Sequence, residues 1–341
     1  MTEPERKPSR IFFGPDGLRA GWALLVAVVI FCALYFAIGY VLRVAHLGPH
    51  EQASPTPGAV LYSEGILFLI VAATTWIMSH IENRPASTYG LGGRSRLSFL
   101  IIGALWGLLL LSLLVFALNR SGFLVIDARL LRGSDILLYA LAWTPAFLVV
   151  ALFEEYLFRG YLLFTLTRGF AGLYRRIGST SRSAVLGFWT AALIISFGFG
   201  LVHSSNTGES PIGLFSAALI SIVFCLSLWR TGSLWWAIGF HAAWDWAESF
   251  LYGVADSGVS VRFHLLATHP TGSALLSGGA TGPEGSLFVI PIAVLTALVI
   301  ALTLRDKAAY AALLPSFNAP SPDTGSLPDR VLAPPFEEHR R

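Results

Sequence analysis

The sequence predicts an all-α, polytopic membrane protein of about eight transmembrane helices arranged around an intramembrane polar cavity. Three observations predict it. Of 341 residues, 55% are hydrophobic and only 13% are charged, against roughly 45–50% and 25% in soluble domains. Apolar runs of about 20 residues recur, each long enough to cross a hydrocarbon core of roughly 30 Å as a helix. A few ionisable side chains fall inside those runs. Each costs at least about 2.5–3.5 kcal/mol to insert, so they are expected to face a polar interior rather than lipid.

Taken in order, the spans are expected near 20–42, 60–79, 97–118, 136–164, 184–205, 212–229, 233–251 and 286–304. The first follows Arg6, Lys7, Arg10 and Arg19 and lacks a small-residue cleavage site. It is also too long for the apolar region of a signal peptide, so it reads as a retained helix. Basic residues cluster before span 1, between spans 2 and 3 (Arg84, Arg94, Arg96), between spans 4 and 5 (Arg168, Arg175, Arg176, Arg182), at Arg230 and after span 8 (Arg305, Lys307). With an even number of spans, that bias puts both termini in the cytoplasm, and the membrane is the plasma membrane if the cell is prokaryotic.

The chain divides accordingly into a cytoplasmic N-terminal segment (1–19), three N-terminal spans (20–134), a core of spans 4–7 (135–251), an external loop with the last span (252–315), and a disordered tail (316–341). The loop 252–285 is rich in Gly, Ser and Thr and is expected to be irregular; the proline-bearing tail is expected to stay outside the chemistry. A net charge of +3 without a basic block argues against nucleic-acid binding. Cys32 and Cys225 both lie in apolar runs, which leaves no disulfide framework and no cysteine-rich metal site. Internal repeats of the kind that build inverted-repeat transporters are not evident.

Three polar clusters interrupt the apolar core. In span 4, Phe153-Glu154-Glu155-Tyr156-Leu157-Phe158-Arg159 puts Glu155 and Arg159 four residues apart on one helix face, where they can pair, and leaves Glu154 about 100° away. A carboxylate left unpaired in low dielectric suits a general base or acid; a structural ion network or a position at the membrane edge is the plainer alternative. At the end of span 5, Phe199 precedes His203 by four residues, where His203 can also be an interfacial or capping residue and Phe199 simple packing. In span 7, His241 and Asp245 share a face, with Glu248 close to it. Here the acid can orient the ring, both can hold a metal, or the pair can merely satisfy itself. Regular helices put Glu154, His203 and Asp245 roughly 22, 30 and 18 Å from one membrane side, so the three clusters can share a cavity.

The signatures Glu-Glu-x-x-x-Arg, Phe-x-x-x-His and His-x-x-x-Asp occur in that order on successive spans. They resemble the CPBP family of intramembrane proteases, an Abi-like family that groups type II CAAX prenyl endopeptidases with bacteriocin-processing and immunity proteins. The likeness covers about 135–250, and Tyr89-Gly90-Leu91 also looks like a family feature. The resemblance implies a hydrolase in which Glu154 activates water with help from His203, while Glu155 and Arg159, with Phe199, support the helix. His241 and Asp245 would then stabilise the oxyanion or, with Glu154 and His203, hold Zn2+; a metal-free glutamate mechanism remains the alternative.

At the last motif position many relatives carry asparagine. Asp245, when ionised, cannot donate to an oxyanion, which favours either a role in orienting His241 or metal binding. The implied partners are the lipid bilayer and a membrane-associated protein or peptide, which the resemblance extends to CAAX-type substrates; the oligomeric state is not legible. Two rivals from other classes are a non-catalytic immunity or partner-binding protein and, less well supported, a proton-coupled transporter using Glu64, Glu154, Glu155 and Asp245 as a relay.

Overall fold

The computed structural model describes residues 11–14, 17–48, 54–93, 95–178, 182–304 and 310. The basic residues before Ile11, Arg94, Arg305, Lys307 and the tail expected from 316 lie outside the described residues. The chain is mostly helical. A two-residue antiparallel pair, β1 (Phe13–Gly14) with β2 (Gly17–Leu18), leads into α1 (Ala20–Val44), followed by α2 (Pro57–Ile81) and α3 (Arg96–Arg120). Thr56 accepts from the Ala59 amide and Pro57 occupies the first helical turn, so α2 begins where the sequence supplies both a cap and a residue with no amide to satisfy. The same device starts α7 (Pro211–Thr231), where Ser210 accepts from the Gly213 amide.

The fourth span differs from expectation in length. α4 (Ser134–Glu155), a π-helical segment at Tyr156–Leu162 and α5 (Leu163–Arg176) form one helical run of 43 residues. The basic stretch expected as a loop near 169–183 is therefore helical as far as Arg176. Arg168 turns inward and pairs with Glu82 just beyond α2. α5 packs on α6 (Ser183–Val202), and α6 packs on α7. The seventh span appears as α8 (Trp235–Asp245), extended by a second π-helical segment at Trp246–Tyr252. The eighth is α10 (Val289–Thr303), of 15 residues.

Among the described residues, six helices meet the length and apolarity needed to cross a membrane, and α10 is a shorter apolar helix. All eight expected spans are thus helical, with full crossing length reached in six. α1 buries little of its apolar surface: Phe36 and Tyr40 stand on its outer side, as a lipid-facing helix requires.

The region 252–285 is more ordered than its composition suggests. β4 (Leu266–Pro270) pairs antiparallel with β3 (Leu124–Arg129) from the α3–α4 connection, in register from Leu124 opposite Pro270 to Arg129 opposite Leu266, with an irregularity between Ile126 and Ala128. The short helix α9 (Ala274–Ser277) follows. Backbone pairing across 142 residues of sequence holds this segment against the helical core, an interaction with no local periodicity to announce it.

Two contacts fix α8. Gly103 and Gly107, one turn apart on α3, lie against its backbone; a Cβ at Gly103 would fall 2.1 Å from the Trp236 carbonyl oxygen, and one at Gly107 2.2 Å from that of Phe240. Small residues at this spacing let two membrane helices approach without side chains between them. At the start of α8 the Tyr89-Gly90-Leu91 stretch acts as an anchor. The Leu234 amide donates to Gly90 O at 3.0 Å and Trp235 Nε1 to Leu91 O at 3.2 Å. Gly90 has φ +89°, and a side chain there would also meet Leu234.

Candidate active site

Both charged helical motifs end at a π-helical segment. Glu154 and Glu155 close α4 immediately before Tyr156–Leu162, and Asp245 closes α8 immediately before Trp246–Tyr252. π-Helical turns are rare and concentrate at functional positions because the wider turn re-aims side chains at the expense of regular hydrogen bonding. Glu154 and Asp245, each at the edge of such a segment, and Ser249 within the second line one cavity.

Glu155 and Arg159 are fully buried and pair at 2.8 Å, four residues apart. The guanidinium also lies over the Phe199 ring, 4.0 Å from its centroid. Phe199 packs edge-on to Phe158 and His203. An aromatic face supplies negative quadrupole to a cation that has few other partners in hydrocarbon, so Phe199 does more than fill space. Glu155 does more than neutralise Arg159: the same oxygen lies 3.0 Å from His241 Nδ1. The sequence pattern had paired Glu155 with Arg159 alone.

Glu154 points elsewhere. One of its carboxylate oxygens has no hydrogen-bond partner, and His241 Nε2 lies 3.7 Å from it. The same imidazole nitrogen lies 3.5 Å from Asp245. His241 therefore stands among three carboxylates, one on its Nδ1 side and two on its Nε2 side. His203, in the short helical turn after α6, faces the Phe199 carbonyl oxygen with Nδ1 at 2.7 Å. A carbonyl oxygen only accepts, so Nδ1 carries the proton and the lone pair of the neutral ring sits on Nε2.

Glu154, Phe199, His203, His241 and Asp245 all line one cavity of about 390 Å³. Glu64 of α2 lines it as well. Asp256 and Glu284 complete its acidic wall, and neither was singled out from the sequence. A signal was present, since these are the only two acidic residues of the stretch 252–285, yet a solvated external loop explains acidic residues equally well. Burial raises the Asp256 carboxyl to about 6, against the pull of the nearby His241 charge. Burial, reinforced by the Asp256 charge, raises Glu284 to about 7.

Tetrahedral zinc with bonds of about 2.0–2.2 Å places its ligand atoms roughly 3.3–3.5 Å apart. His241 Nε2 keeps about that spacing from Asp245, at 3.5 Å, and from Glu154, at 3.7 Å, but no three of Glu154, His203, His241 and Asp245 have ligand atoms within 4.8 Å of one another. Among the described residues, the only group of three or more His, Cys, Asp or Glu ligand atoms lying within 4.8 Å of one another is Glu248, Asp256 and Glu284. The four motif residues in this arrangement do not form a zinc shell, and the chemistry below is drawn from side chains alone.

No curated protein and no solved structure matches this chain. One family model does. Residues 136–247, the segment that contributes Glu154, His203, His241 and Asp245 to the cavity, match the family described as Type II CAAX prenyl endopeptidase Rce1-like, which bears out the resemblance carried by the three motifs.

Proposed function

We propose that this protein is an intramembrane endopeptidase of CAAX type that hydrolyses a peptide bond in a membrane-associated protein or peptide, using water activated by Glu154. One observation carries the reading: a carboxylate oxygen of Glu154 without a hydrogen-bond partner borders the same cavity as the imidazoles of His203 and His241. The family match supports a hydrolase acting on a peptide.

Glu154 takes a proton from water as the water oxygen attacks the scissile carbonyl carbon, and returns it to the departing amine as the C–N bond breaks. His203 Nε2 accepts from the same water and holds its lone pair toward the carbonyl. His241 donates from Nδ1 to Glu155, which fixes the ring; held as the imidazolium by the Asp245 charge beside Nε2, it donates its Nε2 proton to the developing oxyanion. Asp245 thereby acts through His241, which removes the difficulty that an ionised aspartate has no proton to donate. Arg159 and Phe199 hold Glu155. In this reading the basic flanks of the helices keep both termini on the cytoplasmic side, and the membrane is the plasma membrane if the cell is prokaryotic.

The test is cleavage of a prenylated CAAX-type peptide by the full chain reconstituted in liposomes. Glu154→Gln is expected to slow cleavage by about 10²–10⁴-fold with an unchanged unfolding temperature, and 1,10-phenanthroline is expected to leave the wild-type rate unaltered. Wild-type activity in Glu154→Gln would overturn the role of Glu154. Inhibition by the chelator, reversed by zinc, would replace the side-chain mechanism with a metal one.

A further inference from the structure

Beyond the three motifs, Asp256 and Glu284 of the cavity wall meet the buried Glu248 in an acidic group that the proposed hydrolysis does not use. Glu248 lies on the π-helical segment that follows α8, Asp256 in the loop after it, and Glu284 in the turn before α10. One oxygen from each lies within 4.8 Å of the other two. Glu248 is completely buried, and neither of its oxygens has a hydrogen-bond partner. The indole of Trp244 donates instead to Glu284 at 2.7 Å.

A buried carboxylate without a partner is costly, whether ionised or not. Two arrangements relieve such a cost among neighbouring carboxylates. A shared proton joins two carboxylates through one O–H···O bond and leaves the third outside it. A cation between the oxygens serves all three at once. Calcium bonds of 2.3–2.6 Å hold oxygens up to about 5 Å apart, whereas Mg2+ at about 2.1 Å holds them no more than about 4.2 Å apart. Oxygens that all lie within 4.8 Å of one another are close enough for one such ion to reach all three.

The other two carboxylates already have outer partners. Ser257 Oγ donates to Glu284 at 3.0 Å, and Ser249 Oγ donates to Asp256 at 3.4 Å. Such bonds orient carboxylate ligands from behind. Glu248 alone is left to be satisfied from within the cluster.

We infer that Glu248, Asp256 and Glu284 form a binding site for a hard divalent cation, with Ca2+ as its probe, which ties the loop 252–285 to the end of the helix bearing His241 and Asp245. The site uses none of the four motif residues as ligands, although Asp256 and Glu284 share their cavity, so its occupancy is read apart from cleavage. A bound ion would also offset the negative charge on that side of the cavity.

The test is isothermal titration of Ca2+ alone into the full-length purified chain in detergent, paired with thermal unfolding. The wild-type protein is expected to bind one Ca2+ per chain, and its unfolding temperature to rise by about 3–6 °C at a hundredfold excess over Kd. Glu248→Gln is expected to weaken binding at least about tenfold and to abolish the thermal shift. In calcium-free buffer the same variant should be at least as stable as the wild type, because it removes an unpaired buried carboxylate. His203→Ala should bind as the wild type does. If Glu248→Gln does not fold, Glu284→Gln serves in its place. Failure of the wild type to bind, undiminished binding in the carboxylate variants, or loss of binding in His203→Ala would each overturn the inference.

Discussion

Among the described residues, two buried glutamate–arginine pairs differ in their surroundings. Glu82 joins the end of α2 to Arg168 of α5 across 86 residues of sequence and also accepts from the Tyr89 hydroxyl at 3.1 Å. Neither partner lines the cavity. Glu155 and Arg159 lie on one helix, and the Glu155 oxygen that meets Arg159 also faces His241. The first pair satisfies itself and fastens two helices. The second passes its orientation on to an imidazole that borders the cavity. An ion pair in hydrocarbon is thus a fastener or part of a site depending on what its remaining valence touches.

That contrast can be broken by experiment. Arg159→Ala and Arg168→Ala each leave a buried carboxylate without its cation, and each is expected to cost about 3–5 kcal/mol of stability, measured by thermal unfolding in detergent. At a temperature where both variants remain folded, they should part: Arg168→Ala keeps wild-type cleavage, while Arg159→Ala loses it as Glu155 no longer holds His241 in place. Equal loss of cleavage in both would erase the distinction.

A smaller effect tests how His241 is carried to the cavity. Gly107→Ala forces a methyl group to within 2.2 Å of the Phe240 carbonyl, and such overpacking costs about 1–3 kcal/mol. Cleavage should fall together with stability, because α8 must shift. The smallest effect sharpens the comparison at Arg159 itself. Phe199→Leu removes the ring beneath the guanidinium and is expected to cost about 0.5–2 kcal/mol, with cleavage reduced less than in Arg159→Ala.

The legible parts of the site share one property, closeness in sequence. Glu155 with Arg159, Phe199 with His203, and His241 with Asp245 are all four residues apart, so helical periodicity alone put each pair on one face. The contact between Glu155 and His241 spans 86 residues, and no periodicity reports it. Arg168 read as a loop cation because it stands in a basic stretch; its burial depends on Glu82 arriving from another helix. Asp256 and Glu284 read as loop acids because nothing near them in sequence shows that β4 pairs with β3 and draws the segment inward.

Hydrophobicity and its period, which are local, determined the membrane class, the approximate helical spans and the three polar faces from sequence alone, because each backbone amide in hydrocarbon must be satisfied within its own helix. The tertiary structure decided which charges meet across helices, that π-helical segments follow the glutamates and Asp245, and that loop carboxylates enter the cavity. Those outcomes depend on close approach between elements distant in the chain, through Gly103 and Gly107 against α8 and through the β3–β4 pairing, and packing of that kind leaves no repeat in the sequence to read.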